Sequence, residues 1–252
     1  MQNSPNPKPI RHLVYSVYAA NHNDQWRKNT DTMCRYLDHF NGERIWLIRD
    51  DERTVDIADG LFGPGRYIHI ENDPELGESK GFVDAISTLP TTGNTFYAHT
   101  KGVRYVVDEY LLTPIIQWRN NMYRACLDDI GAIDEALKTY SCAGAYKNKN
   151  AEGFWHYSGN YWWVNNNQLF SHNWRRIDNN YYGVENYLGY IFPQKDAFCL
   201  AYGDVLAPYF TPDAESMVSC KCRTYKAKGA GPNMAGVCFW CRKPLVYEGR
   251  KL

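Results

Sequence analysis

The strongest constraint on this chain is a set of short apolar runs separated by segments of helical period. HLVYSVYA at His12–Ala19 and RIWLI at Arg44–Ile48 are too continuously apolar for a strand with one wet face. RYIHI at Arg66–Ile70 and NTFYA at Asn94–Ala98 add two more short β runs, and Ser141–Tyr146 and Tyr161–Val164 another two. Between them, Trp26–Phe40 carries Trp26, Met33, Tyr36, Leu37 and Phe40 at mostly helical spacings, and Lys80–Leu89 reads as a helix stopped by Pro90. A long helical region is expected over Glu109–Leu137, kinked or divided at Pro114, and a short helix over Gly183–Tyr190. Strands buried on both faces and alternating with helices predict an α/β class domain: a mainly parallel sheet with helices on both faces. In such sheets ligands bind outside the carboxyl ends of the strands.

Charge divides the chain. The net charge is zero, but Met217–Leu252 holds eight basic residues against one acid, Glu248, leaving 20 basic and 27 acidic side chains before it. The tail is therefore expected to be a unit of its own. It carries Cys220, Cys222, Cys238 and Cys241, two close pairs separated by a Gly-rich span. Four thiolates so spaced are the ligand set of a tetrahedral structural Zn2+ in a ribbon or knuckle. Cys34, Cys126, Cys142 and Cys199 lie instead among apolar residues and read as small core side chains. The expected organisation is a disordered leader over 1–10, an α/β domain over 11–216 and the zinc module over 217–252. No run reaches the roughly 18–20 apolar residues of a membrane span, and the start MQNSPNPKP lacks the apolar core of a signal peptide. A cytoplasmic location is therefore expected, that of a host if the chain is viral.

Three segments carry candidate chemistry. In Phe96–Gly102 (FYAHTKG) a strand runs into His99, Thr100, Lys101 and Gly102, setting an imidazole and an ammonium at a strand's carboxyl end. Lys101 there is a candidate phosphate partner, with Gly102 allowing a ligand to approach the backbone; a solvated turn is the alternative. In His156–Val164 (HYSGNYWWV), the turn Ser158-Gly159-Asn160 feeds a strand with Trp162 and Trp163 on opposite faces. One tryptophan can then fill the core while the other lines a cleft, or both can pack. In Arg175–Leu188, Glu185 is the lone acid of its turn and helix, a candidate base screened by Tyr181, Tyr182 and Tyr187; a surface carboxylate is the alternative. Asp178, one loop earlier, is the nearest substitute.

YAHTKG, then Trp118-Arg119 on a helix, then HYSGNYWW and an Arg…Glu-x-x-Leu-Gly segment resemble bacterial and phage glycosyltransferase-like proteins. The opening HLVYSVYA…NDQWRKNTDTM is similar to their first strand and helix, so the likeness spans roughly His12–Leu200. The resemblance implies a GT-A-like nucleotide-diphospho-sugar transferase fold, with the donor at the carboxyl ends of the first strands. It implies Glu185 as the base that deprotonates an acceptor hydroxyl. Where many such enzymes place a metal-binding Asp-x-Asp, this chain has His99-Thr100-Lys101. A lysine there can neutralise the leaving phosphate itself, which leaves the need for a catalytic divalent metal open. Tyr18, ending the first strand, and Asp50-Asp51, after the second, join the expected substrate-binding set, the latter towards a ribose or base. The implied partners are a nucleotide-sugar donor and, as acceptor, a glycan or a hydroxymethylated base in DNA. The second alternative comes from the basic, aromatic tail: an α/β domain without turnover whose zinc module holds nucleic acid.

Overall fold

The computed structural model describes residues 8–20, 24–50, 62–103, 109–149 and 153–201. The Cys220, Cys222, Cys238 and Cys241 set, the leader up to residue 7 and Asp51 lie outside the described residues.

The described residues form a seven-stranded sheet with helices on both faces. Strands β1 (Arg11–Tyr18), β2 (Arg44–Asp50), β3 (Arg66–Glu71) and β4 (Asn94–His99) make up one half. The other half holds β5 (Cys142–Ala145), β8 (Trp162–Asn165) and β9 (Ala197–Ala201). A separate hairpin joins β6 (Lys147–Lys149) to β7 (Trp155–Tyr157). The helices are α1 (Gln25–Cys34), α2 (Phe82–Ser87), α3 (Glu109–Leu127), α4 (Ile130–Thr139), α5 (Asn166–Phe170) and α6 (Gly183–Ile191). The strand order is β3-β2-β1-β4-β8-β5-β9. All neighbours in β3-β2-β1-β4 pair in parallel, β8 runs antiparallel to both β4 and β5, and β9 is parallel to β5.

Period-two alternation builds two cores from the same strands. Leu13, Tyr15, Val17, Trp46, Ile48, Phe96, Ala98 and Trp163 face one layer with Trp26 and Met33 of α1 and Met122 and Tyr123 of α3. Val14, Ile45, Leu47, Tyr97, Trp162 and Val164 face the other, with Phe82 and Ile86 of α2 and Val184, Tyr187 and Leu188 of α6. This is why the strands read as unbroken apolar runs.

Several expectations are corrected. The first helix ends at Cys34, and a short 3-10 turn over Leu37–His39 replaces its predicted last turn. The long helix is not divided at position 114 but at Asp128–Asp129, where the Asp129 carboxylate caps α4 by accepting from the Ala132 amide at 2.9 Å. The pair Trp162 and Trp163 lines no cleft: both are at most 1% exposed, one in each core. Trp162 stacks on Tyr97, and Trp163 stacks on Phe40 and donates its indole N–H to the Cys126 carbonyl. A strand covered on both faces has no wet side for either ring.

Candidate active site

After β3 the chain crosses back over β1 and β2 to enter the sheet as β4, so β1 and β4 are neighbours reached from opposite directions. A crevice opens outside the carboxyl ends of such a pair. His99 ends β4 in register with Ser16 of β1, and Thr100 and Lys101 continue past it. Two contacts fix that exit. The Thr100 hydroxyl accepts from the Tyr18 amide, and the Asn29 side chain bonds both the N–H and the carbonyl of Lys101, each at 3.0 Å. Fully buried Asn29 of α1 thereby sets the lysine's backbone, a role nothing in the sequence pattern announced.

Tyr97 and His99 are two apart on one strand and so share a face. So do Ser16 on β1 and Arg49 on β2, because their register neighbours Val14 and Leu47 belong to the same core layer. At the carboxyl ends this face turns from apolar to polar, and Glu78 lies across it in the 3-10 turn Gly77–Ser79. One Glu78 carboxylate oxygen meets His99 Nδ1 at 2.6 Å; the other accepts from the Asn160 amide at 3.1 Å and the Tyr97 hydroxyl at 3.2 Å. Arg49, 2% exposed, donates to the Ser16 hydroxyl and to the Glu78 carbonyl, fixing the turn. Burial alone would raise the Glu78 pKa, but His99, with Arg49 and Lys101 behind it, outweighs burial and holds it at about 2. His99 Nε2 lies 3.0 Å from the Gly159 carbonyl.

The SGN turn holds its place for steric reasons. Gly159 has φ +92°, and a β-carbon there would come 2.6 Å from Met122 Sδ and 2.9 Å from the Trp118 ring. Asn160 follows at φ 59°, a left-handed conformation that asparagine tolerates better than most residues, and from it the side chain reaches Glu78. Ser158 Oγ lies 3.2 Å from His156 Nε2. The reading of Gly102 is corrected. Its φ is +85°, but the space a β-carbon would take is filled by Ile115 of α3, not left open to a ligand.

The Lys101 ammonium sits 4.2 Å from the centroid of the Trp118 ring, a cation–π contact, with no carboxylate at ion-pair distance among the described residues. Burial lowers its pKa, opposed by the charges of Glu78 and Glu185. Lys101 thus lies in the field of both carboxylates. Glu185, in the first turn of α6, has Oε1 3.6 Å from His156 Nε2 on β7. Burial depresses the His156 pKa in spite of Glu185 beside it.

Of the expected residues, the structure brings together His99, Thr100, Lys101, Ser158, Gly159, Asn160 and Glu185, with the Tyr18 backbone at the edge. Asp178 does not join them: its carboxylate accepts from the Tyr190 hydroxyl at 2.6 Å. The expected tyrosine screen of Glu185 is also corrected, because Tyr181 and Tyr182 are exposed and Tyr187 is buried against Phe82. Asp50 ends β2, one strand away from the β1–β4 crevice. Sequence reasoning missed Glu78, Arg49, Asn29 and His156. Among the described residues, no three His, Cys, Asp or Glu side chains converge as a metal-binding group.

No family model matches the chain. No curated protein matches it either. Among solved structures it is similar to 4-diphosphocytidyl-2C-methyl-D-erythritol synthase from Anaerococcus prevotii, at 10% identity and a TM-score of 0.35, covering 65% of this chain and 74% of that one.

Proposed function

We propose that this chain is a glycosyltransferase that takes a sugar from a nucleotide-diphospho-sugar and passes it to a hydroxyl acceptor. The observation that carries the reading is the grouping of Lys101, His99, Glu78 and Glu185 outside the carboxyl ends of β1 and β4. Arg49 and Lys101 bring two cations to this end of the sheet, beside the carboxylates of Glu78 and Glu185. The Lys101 ammonium, partly withdrawn from water and in no ion pair among the described residues, suits a diphosphate.

In the proposed reaction the acceptor oxygen attacks the anomeric carbon while its proton passes to the Glu185 carboxylate. The bond from that carbon to the diphosphate oxygen breaks, and its electron pair leaves with the nucleoside diphosphate. In this reading Lys101 neutralises the charge that grows on that oxygen. Glu78 is already committed to His99, Tyr97 and Asn160, so it is a positioning residue, whereas Glu185 keeps about a quarter of its side-chain surface open. His156 Nε2 lies 3.6 Å from that carboxylate. The basic tail with its four cysteines favours a polyanionic acceptor such as hydroxymethylated DNA over a neutral glycan.

Incubating the full chain with a panel of nucleotide sugars tests the proposal. Release of free nucleoside diphosphate from at least one donor is expected, accelerated by the right acceptor. Donors that all stay intact, with and without hydroxymethylated DNA, would refute it.

A further inference from the structure

A second cation near Lys101 also has no ionic partner among the described residues. Arg119 is 5% exposed, yet its guanidinium bonds only the neutral Asn120 side-chain oxygen, from Nε and Nη2 at 3.2 Å each. Its Nη1 has no hydrogen-bond partner, and no carboxylate pairs with it among the described residues. The nearby polar groups cannot supply negative charge. Tyr15 and Tyr123 share a hydrogen bond between their hydroxyls, Tyr161 donates to the His99 carbonyl, and burial raises the pKa of all three. A buried guanidinium without a counter-charge is costly, and a bound anion is one arrangement that offsets that cost.

Its place says what that would be. Ile115, Trp118 and Met122 form the face of α3 that packs beneath Gly102 and Gly159, and Trp118 carries the Lys101 ammonium. Arg119 is the next residue on that helix, and it acts electrostatically on the tyrosines that run from Tyr15 to the backbone of His99. Lys101 therefore lies over the Trp118 ring, and Arg119, next to Trp118 on α3, lies within electrostatic reach of the buried tyrosines Tyr15, Tyr123 and Tyr161. A guanidinium offers two parallel N–H donors to a pair of phosphate oxygens, which a point-charge ammonium cannot do.

We infer that Arg119 is a second, buried phosphate receptor, which grips the donor's diphosphate from α3 while Lys101 meets it from β4. The choice of a diphosphate rests on the function proposed above; the anion site itself does not depend on sugar transfer.

The test uses the full-length protein with inorganic pyrophosphate and with UDP, comparing wild type, Arg119→Met, Arg119→Lys and the surface control Arg27→Met. Affinity is read by calorimetry and stability by thermal melting without ligand. The expected Arg119→Met variant melts no lower than wild type without ligand, since an unpaired buried charge has gone, but binds pyrophosphate at least about tenfold more weakly. Arg119→Lys is expected to lose part of the affinity, and Arg27→Met none. Wild-type protein that binds neither anion would overturn the inference. So would Arg119 variants, checked as folded by circular dichroism, that bind within twofold of wild type. The two proposals fail separately. Arg119-dependent pyrophosphate binding without turnover of any nucleotide sugar refutes the transferase and keeps the receptor, whereas unchanged donor turnover in Arg119→Met and Arg119→Lys does the reverse.

Discussion

At the residue scale the site turns on Glu78, which fixes three partners from a single turn. Its carboxyl is held near pKa 2 in the folded chain against an ordinary value of 4.5. A carboxyl depressed in this way stabilises the fold fully above its unfolded value and loses that contribution as pH falls from about 4.5 towards about 2. Glu78→Gln keeps the shape but leaves His99 and Arg49 without their counter-charge. At pH 7 we expect it to cost about 3 kcal/mol, the scale for removing one member of a buried pair. Urea titrations across this pH range should then show the acid-limb loss in wild type and a flatter limb in the variant. Such a residue leaves no mark on a sequence, because Glu78 sits in a polar stretch, LGESK, that looks like any solvated loop. Lys101 was legible for the opposite reason: a charge two residues after a buried strand lies at that strand's end. Asn29 was hidden on a helix face whose burial depends on the backbone it grips, 72 residues away.

At the element scale the parallel half of the sheet was readable, since β1, β2 and β4 are covered on both faces and contain nothing to contradict a buried strand. The small elements were not. The three-residue strands β6 and β7 carry no usable period, and Ala197–Ala201 (AFCLA) is a strand only because β5 pairs with it. The direction of β8 is set by the return of the chain from the SGN turn, which pattern alone does not encode. That turn gives a sharp prediction. Gly159→Ala places a β-carbon against Met122 and Trp118 at a positive φ, so it should destabilise the chain by roughly 1–3 kcal/mol. Thermal melting checks the loss. Because Gly159 also accepts from His99, donor binding measured well below the melting temperature should weaken too, while a similar change at exposed Gly153 should leave it unaltered.

At the scale of the whole molecule, a body with excess acid carries a tail with excess base. We propose that Cys220, Cys222, Cys238 and Cys241 hold one structural zinc per chain, and metal analysis of purified protein should find it at that ratio. A Cys238→Ala/Cys241→Ala variant that keeps its zinc would rule this out. Removing 217–252 should lower DNA affinity and flatten its salt dependence while donor affinity stays near wild type, because each phosphate neutralised by the tail releases counterions. The central claim concerns the β1–β4 crevice, and separating KM from kcat for donor turnover tests it most directly. Lys101→Ala should weaken transition-state binding by roughly 2–3 kcal/mol in kcat/KM. Glu185→Gln should lower kcat by about 10²–10⁴-fold with donor affinity intact, as expected for a lost base. Both variants turning over donor at the wild-type rate would contradict the assignment of this crevice as the site of sugar transfer.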